Sequence, residues 1–161
     1  MHKAFLQLGS NMGNRKSYIN LANKLISSKI GDIHKFSKIY ESEPWGVEGQ
    51  NKFLNQVIEI TCDLKVYDLL SKVLEIEDII GRVRNKKWDE RIIDIDILLY
   101  NEMVVQNKRI CIPHIFMHER KFVLIPLNEI APDLIHPRFN KTISELLVEC
   151  GDNKDVDYYG I

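Results

Sequence analysis

The chain has 161 residues, of which 45% are hydrophobic, and this size fits one domain with a normal core. The chain has 22 Lys and Arg residues and 23 Asp and Glu residues. Its formal net charge of -1 therefore gives no general reason to expect nucleic acid or an anionic membrane as a partner. No apolar run approaches the roughly 20 residues that span a bilayer. We therefore expect a single domain over residues 1–161, acting as a monomer in the cytoplasm.

The first half of the chain alternates strand and helix patterns. Lys3 to Leu8 alternate like a strand and end at "GSNMGN", after which apolar residues recur at helical spacing behind Asn14, a typical N-cap. Two further strands are predicted in "DIHKFSKIYES" and "FLNQVIEITCDL". Between them, "ESEPWGVEGQNK" carries one proline and two glycines, which predicts a long loop.

A second helix is predicted from Val66 to Gly81, followed by the polar "GRVRNKKWDER" and a fourth strand, "IIDIDILLY". The order βαββαβ predicts an α+β fold of ferredoxin-like topology, an antiparallel sheet with helices packed on it. In the C-terminal extension we expect short strands at Met103 to Val105 and Ile110 to Ile112, a segment "PHIFMHERKFVLIPLNEIAP" with no assigned element, a final amphipathic helix near Thr142 to Glu149, and a mobile acidic tail from Gly151 onward.

The strand "IIDIDILLY" places two acids among aliphatic residues. Alternation sorts its side chains into two faces: Ile93, Ile95, Ile97 and Leu99 on one, and Asp94, Asp96, Leu98 and Tyr100 on the other. The helices should cover the isoleucine face. The two carboxylates, about 7 Å apart at their Cα atoms, repel each other by about 2 kcal/mol at an effective dielectric near 20. A positive group must offset this repulsion, and exposed Lys or Arg partners would be the simplest explanation.

A basic loop just before this strand favours a functional explanation. It contains five cations against Asp89 and Glu90, and these cations are Arg82, Arg84, Lys86, Lys87 and Arg91. Two carboxylates that hold magnesium on phosphate oxygens, with arginine forks on the remaining oxygens, are typical of phosphoryl-transfer sites. Trp88 offers a flat surface for a ring, although a hydrophobic anchor for the loop is the alternative role.

Four blocks in order closely resemble the 6-hydroxymethyl-7,8-dihydropterin pyrophosphokinase family. They are "LGSNMGN", "ESEPWGVEGQNKFLN", "GRVRNKKWDERIIDIDILLY" and "PHIFMHERKFVLIPLNEIAPDLIHP". The resemblance covers the chain up to about Pro137. It implies transfer of the β,γ-diphosphate of ATP to the pterin's hydroxymethyl oxygen, giving AMP and the pterin diphosphate, with two Mg²⁺ ions required.

The resemblance also implies roles for individual residues. Asp94 and Asp96 match the metal ligands, and with Arg82 and Arg91 they match the catalytic group. The residues that match the pterin site are Ser42, Glu43, Trp45, Phe53, Asn55, Trp88 and Phe122. The residues that match the ATP site are Glu77, Arg82, Arg84, Trp88, Arg91, Ile97, Leu98, Arg109, His114 and Arg120. For the two phenylalanines alone, core packing would be the better interpretation.

The chain departs from the family's pattern at two places. Asp89 and Glu90 stand where members commonly have Gly-Pro, and they add two negative charges close to the expected phosphates, which should weaken or redirect loop closure. Ile115 and Phe116 stand where a proline and a basic residue are commoner, so these two residues are assigned no phosphate role.

The residues by themselves also allow other classes of protein. A palm-type two-metal nucleotidyl transferase would also place paired acids on a ferredoxin-like sheet, and an RNA-recognition module shares the topology. A zinc site with His114 and His118 as ligands would have no convincing third ligand apart from the distant His136. "GSNMGN" lacks the Lys-Ser/Thr of a phosphate-binding P-loop, which favours a structural turn.

Overall fold

The computed structural model describes residues 1–84 and 90–160. In chain order its strands and helices are β1 (His2–Ser10), α1 (Arg15–Lys29), β2 (Asp32–Phe36), β3 (Tyr40–Ser42), β4 (Phe53–Cys62), α2 (Val66–Ile80), β5 (Asp94–Tyr100), β6 (Val105–Gln106), β7 (Cys111–Ile112), α3 (Lys121–Ile130), β8 (Ile135–His136), β9 (Lys141–Thr142), α4 (Ile143–Glu149) and β10 (Val156–Tyr158). None of the helices in this described part has the length and apolarity that crossing a membrane requires.

The ends of the first two helices follow the sequence signals. The Asn14 side chain accepts a hydrogen bond from the backbone N–H of Ser17, as an N-cap does at the start of α1. At the end of α2, Gly81 has φ +110°, a left-handed conformation that glycine adopts without strain. Both predicted boundaries are confirmed.

The main sheet has the strand order β10-β3-β4-β1-β5, with β2 also paired to β4, and every pair is antiparallel. Strand β1 lies between β4 and β5, as the ferredoxin-like order requires, and the predicted fold class is confirmed. The predicted second strand is divided into β2 and β3. It breaks at Ser37, whose backbone N–H donates to the Val57 carbonyl while its Oγ accepts from the Val57 N–H.

The isoleucine face of β5 packs where the sequence places it. Ile93, Ile95 and Ile97 are buried in the core between the sheet and α1 and α2. This core also contains Ile58 and Leu69, both with no exposed surface, so burial of aliphatic side chains holds the two helices on the sheet.

A second core lies on the opposite face of the sheet, where Val57 and Leu98 pack against Leu124 of α3 and Leu146 of α4. Helix α3 was not predicted from the sequence. Its segment is apolar on nearly all sides and contains Pro126 inside the helix, which hides the amphipathic period and removes one helical donor. The two C-terminal helices therefore cover part of the sheet face that carries the acids.

A β-bulge changes the predicted side-chain pattern at the end of β5. Leu6 pairs with Ile97 and Phe5 with Leu99, so Leu98 has no opposite residue on β1 and the alternation shifts by one. Leu99 consequently lies in the second core, and Tyr100 lies in the first, where its hydroxyl donates to the Leu64 carbonyl. The predicted faces of Leu99 and Tyr100 were wrong, whereas those of Asp94, Asp96 and Leu98 stand.

The C-terminal tail is also different from the expectation. Instead of a mobile segment from Gly151, residues 156–158 form β10, which pairs with β3 in register from Val156 opposite Ser42 to Tyr158 opposite Tyr40. The Tyr40 and Tyr158 rings meet edge to face with centroids 6.4 Å apart. Strand β10 therefore protects the backbone of β3, which supports the floor of the site described below.

We expect His136 to make stability depend on pH. It is 1% exposed, with His118 and Arg138 nearby, and burial lowers its pKa to about 4. The unfolded chain, with an ordinary pKa near 6.5, therefore binds more protons between pH 6.5 and 4, and stability falls as pH drops through that window, by about 2 kcal/mol between pH 7 and 5.

The test is His136→Asn, because asparagine can still accept the backbone N–H bonds that His136 Nδ1 accepts from Arg138 and Phe139, but does not titrate. Urea unfolding at pH 7 and pH 5 should show a smaller loss of stability in the variant than in the wild type. The variant should still lose some stability between pH 7 and pH 5, because the pKa of His114 is also lowered to about 4. If both proteins lost the same amount of stability between pH 7 and pH 5, His136 would not be a source of the pH dependence.

Candidate active site

Asp94 and Asp96 point from β5 into a pocket on the sheet face that α3 and α4 leave uncovered. Arg82 lies 2.7 Å from one carboxylate oxygen of Asp94, and Arg91 lies 2.5 Å from the other. Burial and the neighbouring Asp94 raise the pKa of Asp96, as expected when two carboxylates share one site. The cations at Asp94 thus offset the repulsion that the sequence implied.

Glu77 links Arg82 and Arg84, at the start of the basic loop, to strand β5. Its carboxylate is 1% exposed and accepts hydrogen bonds from the backbone N–H of Ile95 at 2.7 Å and from the Arg84 guanidinium, while Arg82 lies 2.8 Å away. Burial and the charge of Asp94 raise the pKa of Glu77, and the two arginines act in the opposite direction. The structure therefore places Glu77 behind the site, where it positions Arg82 between two carboxylates.

The residues that resemble a pterin site converge in the same pocket. Its lining includes all six of them that the structure describes: Ser42, Glu43, Trp45, Phe53, Asn55 and Phe122. Arg91, Asp94, Asp96 and Arg120 complete its charged side. An aromatic wall, an amide and paired carboxylates in one pocket fit a flat polar ring that carries a reacting group toward the acids.

The Asn55 side chain is held on several sides. Its Nδ2 donates to Ser42 Oγ at 2.8 Å and to the Tyr40 carbonyl at 3.3 Å, and its Oδ1 accepts from Gln7 Nε2 at 3.3 Å. Gly9 lies opposite Asn55 on β1 and leaves the floor beside the amide open. The orientation of the amide is therefore fixed before any ligand binds.

Arg120 lies among the aromatic side chains that line the pocket. Its guanidinium carbon is 4.5 Å from the Trp45 ring centroid, 5.1 Å from that of Phe116 and 5.6 Å from that of Phe122. The Trp45 and Phe116 rings are themselves 5.8 Å apart. Phe116, one of the departures from the family pattern, thus packs against the loop that bears Trp45, and Ile115 is exposed.

The residues that resemble an ATP site are less concentrated. Arg84 binds Asp78 and Glu77, whereas Arg109 is exposed and lies over the Tyr67 ring, 5.1 Å from its centroid. His114 Nε2 is 3.9 Å from an Asp96 oxygen, and burial together with Arg120 lowers its pKa to about 4, so it is neutral at pH 7.

Ile97 and Leu98 are both buried, and they belong to opposite cores. The Leu98 side chain is 1% exposed, and its backbone carbonyl already accepts from the His114 N–H. Any contact of both residues with one adenine ring would require a change in this arrangement.

Some predicted residues lie outside the described part of the chain, namely Trp88 with Lys86, Lys87 and Asp89. Conversely, the pocket includes residues that were not predicted as site residues from the sequence, among them Gln7 and Gly9 on β1. Gly9 lies in the block "LGSNMGN", but the sequence signal for Gln7 is only a polar residue that shares one strand face with Gly9, and nothing local shows that this face adjoins Asp96. The register that pairs Gln7 with Asp96 supplies this information.

The donor set fits a hard divalent cation. Asp94 and Asp96 supply carboxylate oxygens on one face, and magnesium sites on nucleotides commonly use one or two carboxylates together with phosphates and water. In the described residues there is no group of three or more His, Cys, Asp and Glu side chains close enough to form a protein-only metal site. His114, His118 and His136 accordingly do not form a zinc site there.

The fold and pocket define an α+β enzyme with paired acids and arginines beside an aromatic ring site, a combination suited to phosphoryl-group transfer. The family model described as 7,8-dihydro-6-hydroxymethylpterin-pyrophosphokinase (HPPK) matches residues 5–132. The chain belongs to this family.

Relatives and solved structures agree with this membership. The chain is 42% identical to the 2-amino-4-hydroxy-6-hydroxymethyldihydropteridine pyrophosphokinase of Aquifex aeolicus over 92% of each chain, and 40% identical to that of Haemophilus influenzae over 96% of each. Among solved structures, wild-type Plasmodium falciparum HPPK-DHPS is similar with a TM-score of 0.74 at 17% identity, which supports the fold. That similarity covers 92% of this chain and 43% of the longer Plasmodium chain.

Proposed function

We propose that this chain transfers the β,γ-diphosphate of ATP to the hydroxymethyl oxygen of 6-hydroxymethyl-7,8-dihydropterin, giving AMP and the pterin diphosphate in folate biosynthesis. The observation that carries the proposal is the single pocket in which Asn55, Phe53 and Phe122 lie alongside Asp94 and Asp96. Family membership supports the same reaction. A palm-type polymerase site or an RNA-binding module would not explain an amide and an aromatic pair beside the carboxylates.

In this reaction the pterin hydroxyl oxygen attacks the β-phosphorus, the bond between that phosphorus and the oxygen bridging to the α-phosphate breaks, and AMP leaves with the bridging oxygen. No protein nucleophile is required, so catalysis depends on alignment and charge neutralisation. Phe53 and Phe122 hold the ring and Asn55 reads its edge, while Ser42, Glu43 and Trp45 form the adjoining wall. Trp88, outside the described part, is proposed to contact the bound substrates.

Arg82 and Arg91 act on the phosphates. Both already lie at the Asp94 carboxylate, so they are close to any phosphate bound beside it. Glu77 holds Arg82 in place, and Arg84, Arg109, His114 and Arg120 are proposed as further contacts to ATP. Ile97 and Leu98 are proposed to lie near adenine, which requires their present packing in opposite cores to change when ATP binds. His114, being neutral, would act as a hydrogen-bonding group and not as a cation.

Asp94 and Asp96 would hold Mg²⁺, and we propose two ions. When bound, these ions would neutralise charge on the ATP phosphates and lower the pKa of the attacking hydroxyl. We further propose that residues 1–161 act as one domain and as a monomer in the cytoplasm, with ATP and the pterin as partners and no role for nucleic acid or membrane.

The reaction is tested by following ATP by ³¹P NMR with Mg²⁺, with and without 6-hydroxymethyl-7,8-dihydropterin. The expected result is AMP and a pterin diphosphate in equal amounts, formed only when the pterin is present. Formation of ADP or free diphosphate, or of AMP without the pterin, would contradict the proposed function.

Asn55→Ala is expected to weaken pterin binding on the order of tenfold to a hundredfold, because it removes the buried amide that faces the ring. Affinity for a non-hydrolysable ATP analogue with Mg²⁺ should change by less than about twofold, since Asn55 lies on β4 and the phosphate-side residues lie on β5 and the basic segment. Calorimetry with each ligand measures both values.

The matched control is Asn20→Ala, an exposed asparagine on α1, which should leave both affinities unchanged. An equal loss of both affinities in Asn55→Ala would indicate general damage to the fold and not pterin recognition.

A further inference from the structure

Gln7 stands between the two halves of the site. On the face of β1 that lines the pocket, it lies opposite Asp96 of β5, and Gly9, two residues on, lies opposite Asn55 of β4. Side chains at such diagonal positions on one sheet face are close enough to interact. Gln7 therefore lies between the Asn55 amide and the Asp94 and Asp96 carboxylates.

The Gln7 side chain contacts Asn55 directly. Its Nε2 donates to Asn55 Oδ1 at 3.3 Å, and both residues are almost fully buried, at 4% and 2% exposure. The other side of the Asn55 amide is held by Ser42 and by the Tyr40 carbonyl. The Tyr40 carbonyl can only accept, so it holds the nitrogen end of the amide, and Gln7 Nε2 holds the oxygen end.

The second polar atom of Gln7 argues against a role in stability alone. Gln7 Oε1 is buried, and within the described part of the chain it has no hydrogen-bond partner. A buried carbonyl without a partner costs free energy, and such groups in folded proteins require an explanation. An apolar side chain of similar length would avoid that cost, so selection for stability alone does not explain a glutamine here.

Gln56 on β4, the strand that pairs with β1, is a buried glutamine that differs from Gln7. It is also buried, but its Oε1 accepts from Asn23 Nδ2 at 2.8 Å and its Nε2 donates to the Ser37 carbonyl at 3.0 Å. Gln56 is thus a glutamine with both amide atoms satisfied and no position in the pocket lining, as expected of a structural residue.

We propose that Gln7 is a positioning residue for pterin recognition: by donating to Asn55 Oδ1 it holds the oxygen end of the Asn55 amide in place, while the Tyr40 carbonyl holds the nitrogen end. This proposal rests on the proposed function, because it concerns the same ring site. Pre-orientation of a polar group lowers the cost of ordering it when ligand binds. Gln7 acts through Asn55 and does not itself take part in the transfer.

The experiment compares wild type, Gln7→Met, Asn55→Ala and the double variant by calorimetry with 6-hydroxymethylpterin in the presence of Mg²⁺ and a non-hydrolysable ATP analogue. Gln7→Met should weaken pterin binding by about fivefold to tenfold and leave affinity for the analogue within about twofold. In the Asn55→Ala background, the same change should have almost no further effect on pterin affinity. Gln7→Met removes the unpartnered Oε1 but also leaves Asn55 Oδ1 without the donor that Gln7 supplies. The stability argument is therefore tested where Asn55 is absent: thermal unfolding of the double variant should show stability equal to or above that of Asn55→Ala alone.

Gln56→Met is the matched control, expected to lower stability and leave pterin affinity unchanged. Unchanged pterin affinity in Gln7→Met, or an equal loss with and without Asn55, would overturn the positioning role. A double variant less stable than Asn55→Ala would overturn the argument from the unpartnered Oε1. Failure of the wild type itself to bind the pterin would instead contradict the proposed function.

Discussion

Replacing Asp94 with asparagine is expected to lower turnover by about a thousandfold or more. Asparagine keeps the size of the side chain but removes the charge that balances Arg82 and Arg91 and that would hold a divalent cation. Asp96→Asn should have a similar effect, because the two carboxylates face the same pocket. Initial rates of AMP formation at saturating ATP and pterin measure the loss.

A second measurement separates loss of metal from loss of fold. Calorimetry with a non-hydrolysable ATP analogue should show strong dependence on Mg²⁺ concentration in the wild type and little in Asp94→Asn. Urea unfolding should show that the variant remains folded, since Arg82 keeps its contact with Glu77. The control is Glu102→Gln, an exposed acid in the turn after β5, which should behave as wild type. An Asp94→Asn protein with wild-type rates would remove this carboxylate from the catalytic group.

Much of the sheet follows from local pattern. Alternation and capping signals predicted β1, α1, β4 and α2, and the face of Asp94 and Asp96 follows from the period of two in a strand. These elements are long and their apolar residues repeat regularly, so local preference and tertiary burial favour the same structure. The acids were therefore correctly separated from Ile93 and Ile95.

The errors arise where tertiary contacts decide. The bulge at Leu98 adds one residue opposite β1, and no local signal in "IIDIDILLY" distinguishes a regular strand from a bulged one. Strand β10 exists because the tail pairs with β3, although the strand is only three residues long and carries little local signal. Helix α3 was missed because Pro126 and a nearly continuous apolar sequence conceal its period.

In the site, too, some residues could be predicted from the sequence and others depend on tertiary contacts. Asn55, Phe53 and Phe122 could be proposed from resemblance alone, and the structure brings them into one pocket with the acids. Gln7 could not, because its importance depends on a register that pairs it with Asp96 and places it beside Asn55. The position of Arg120 among three aromatic rings also depends on the fold of the segment that bears Phe116.

The second large effect is expected at Glu77, whose replacement by leucine should lower the free energy of unfolding by about 2 to 4 kcal/mol. Leucine fills the volume but leaves the buried N–H of Ile95 without its acceptor, and it removes the buried partner of Arg82 and Arg84. Turnover should fall as well, because Arg82 then has only Asp94 to position it.

Glu77→Gln separates the two contributions, since glutamine can still accept the Ile95 N–H through its carbonyl oxygen but has no charge for the arginines. Urea unfolding should therefore rank wild type as most stable, Glu77→Gln as intermediate and Glu77→Leu as least stable, while both variants should lose turnover. Glu75→Gln on the same helix is the control. Its partners Lys72 and Lys29 are solvent-exposed, so it should change stability by less than about 1 kcal/mol. If Glu77→Leu were as stable as Glu75→Gln, the link that Glu77 makes between the end of α2 and the start of β5 would have no energetic importance, and the positioning of Arg82 would need another cause.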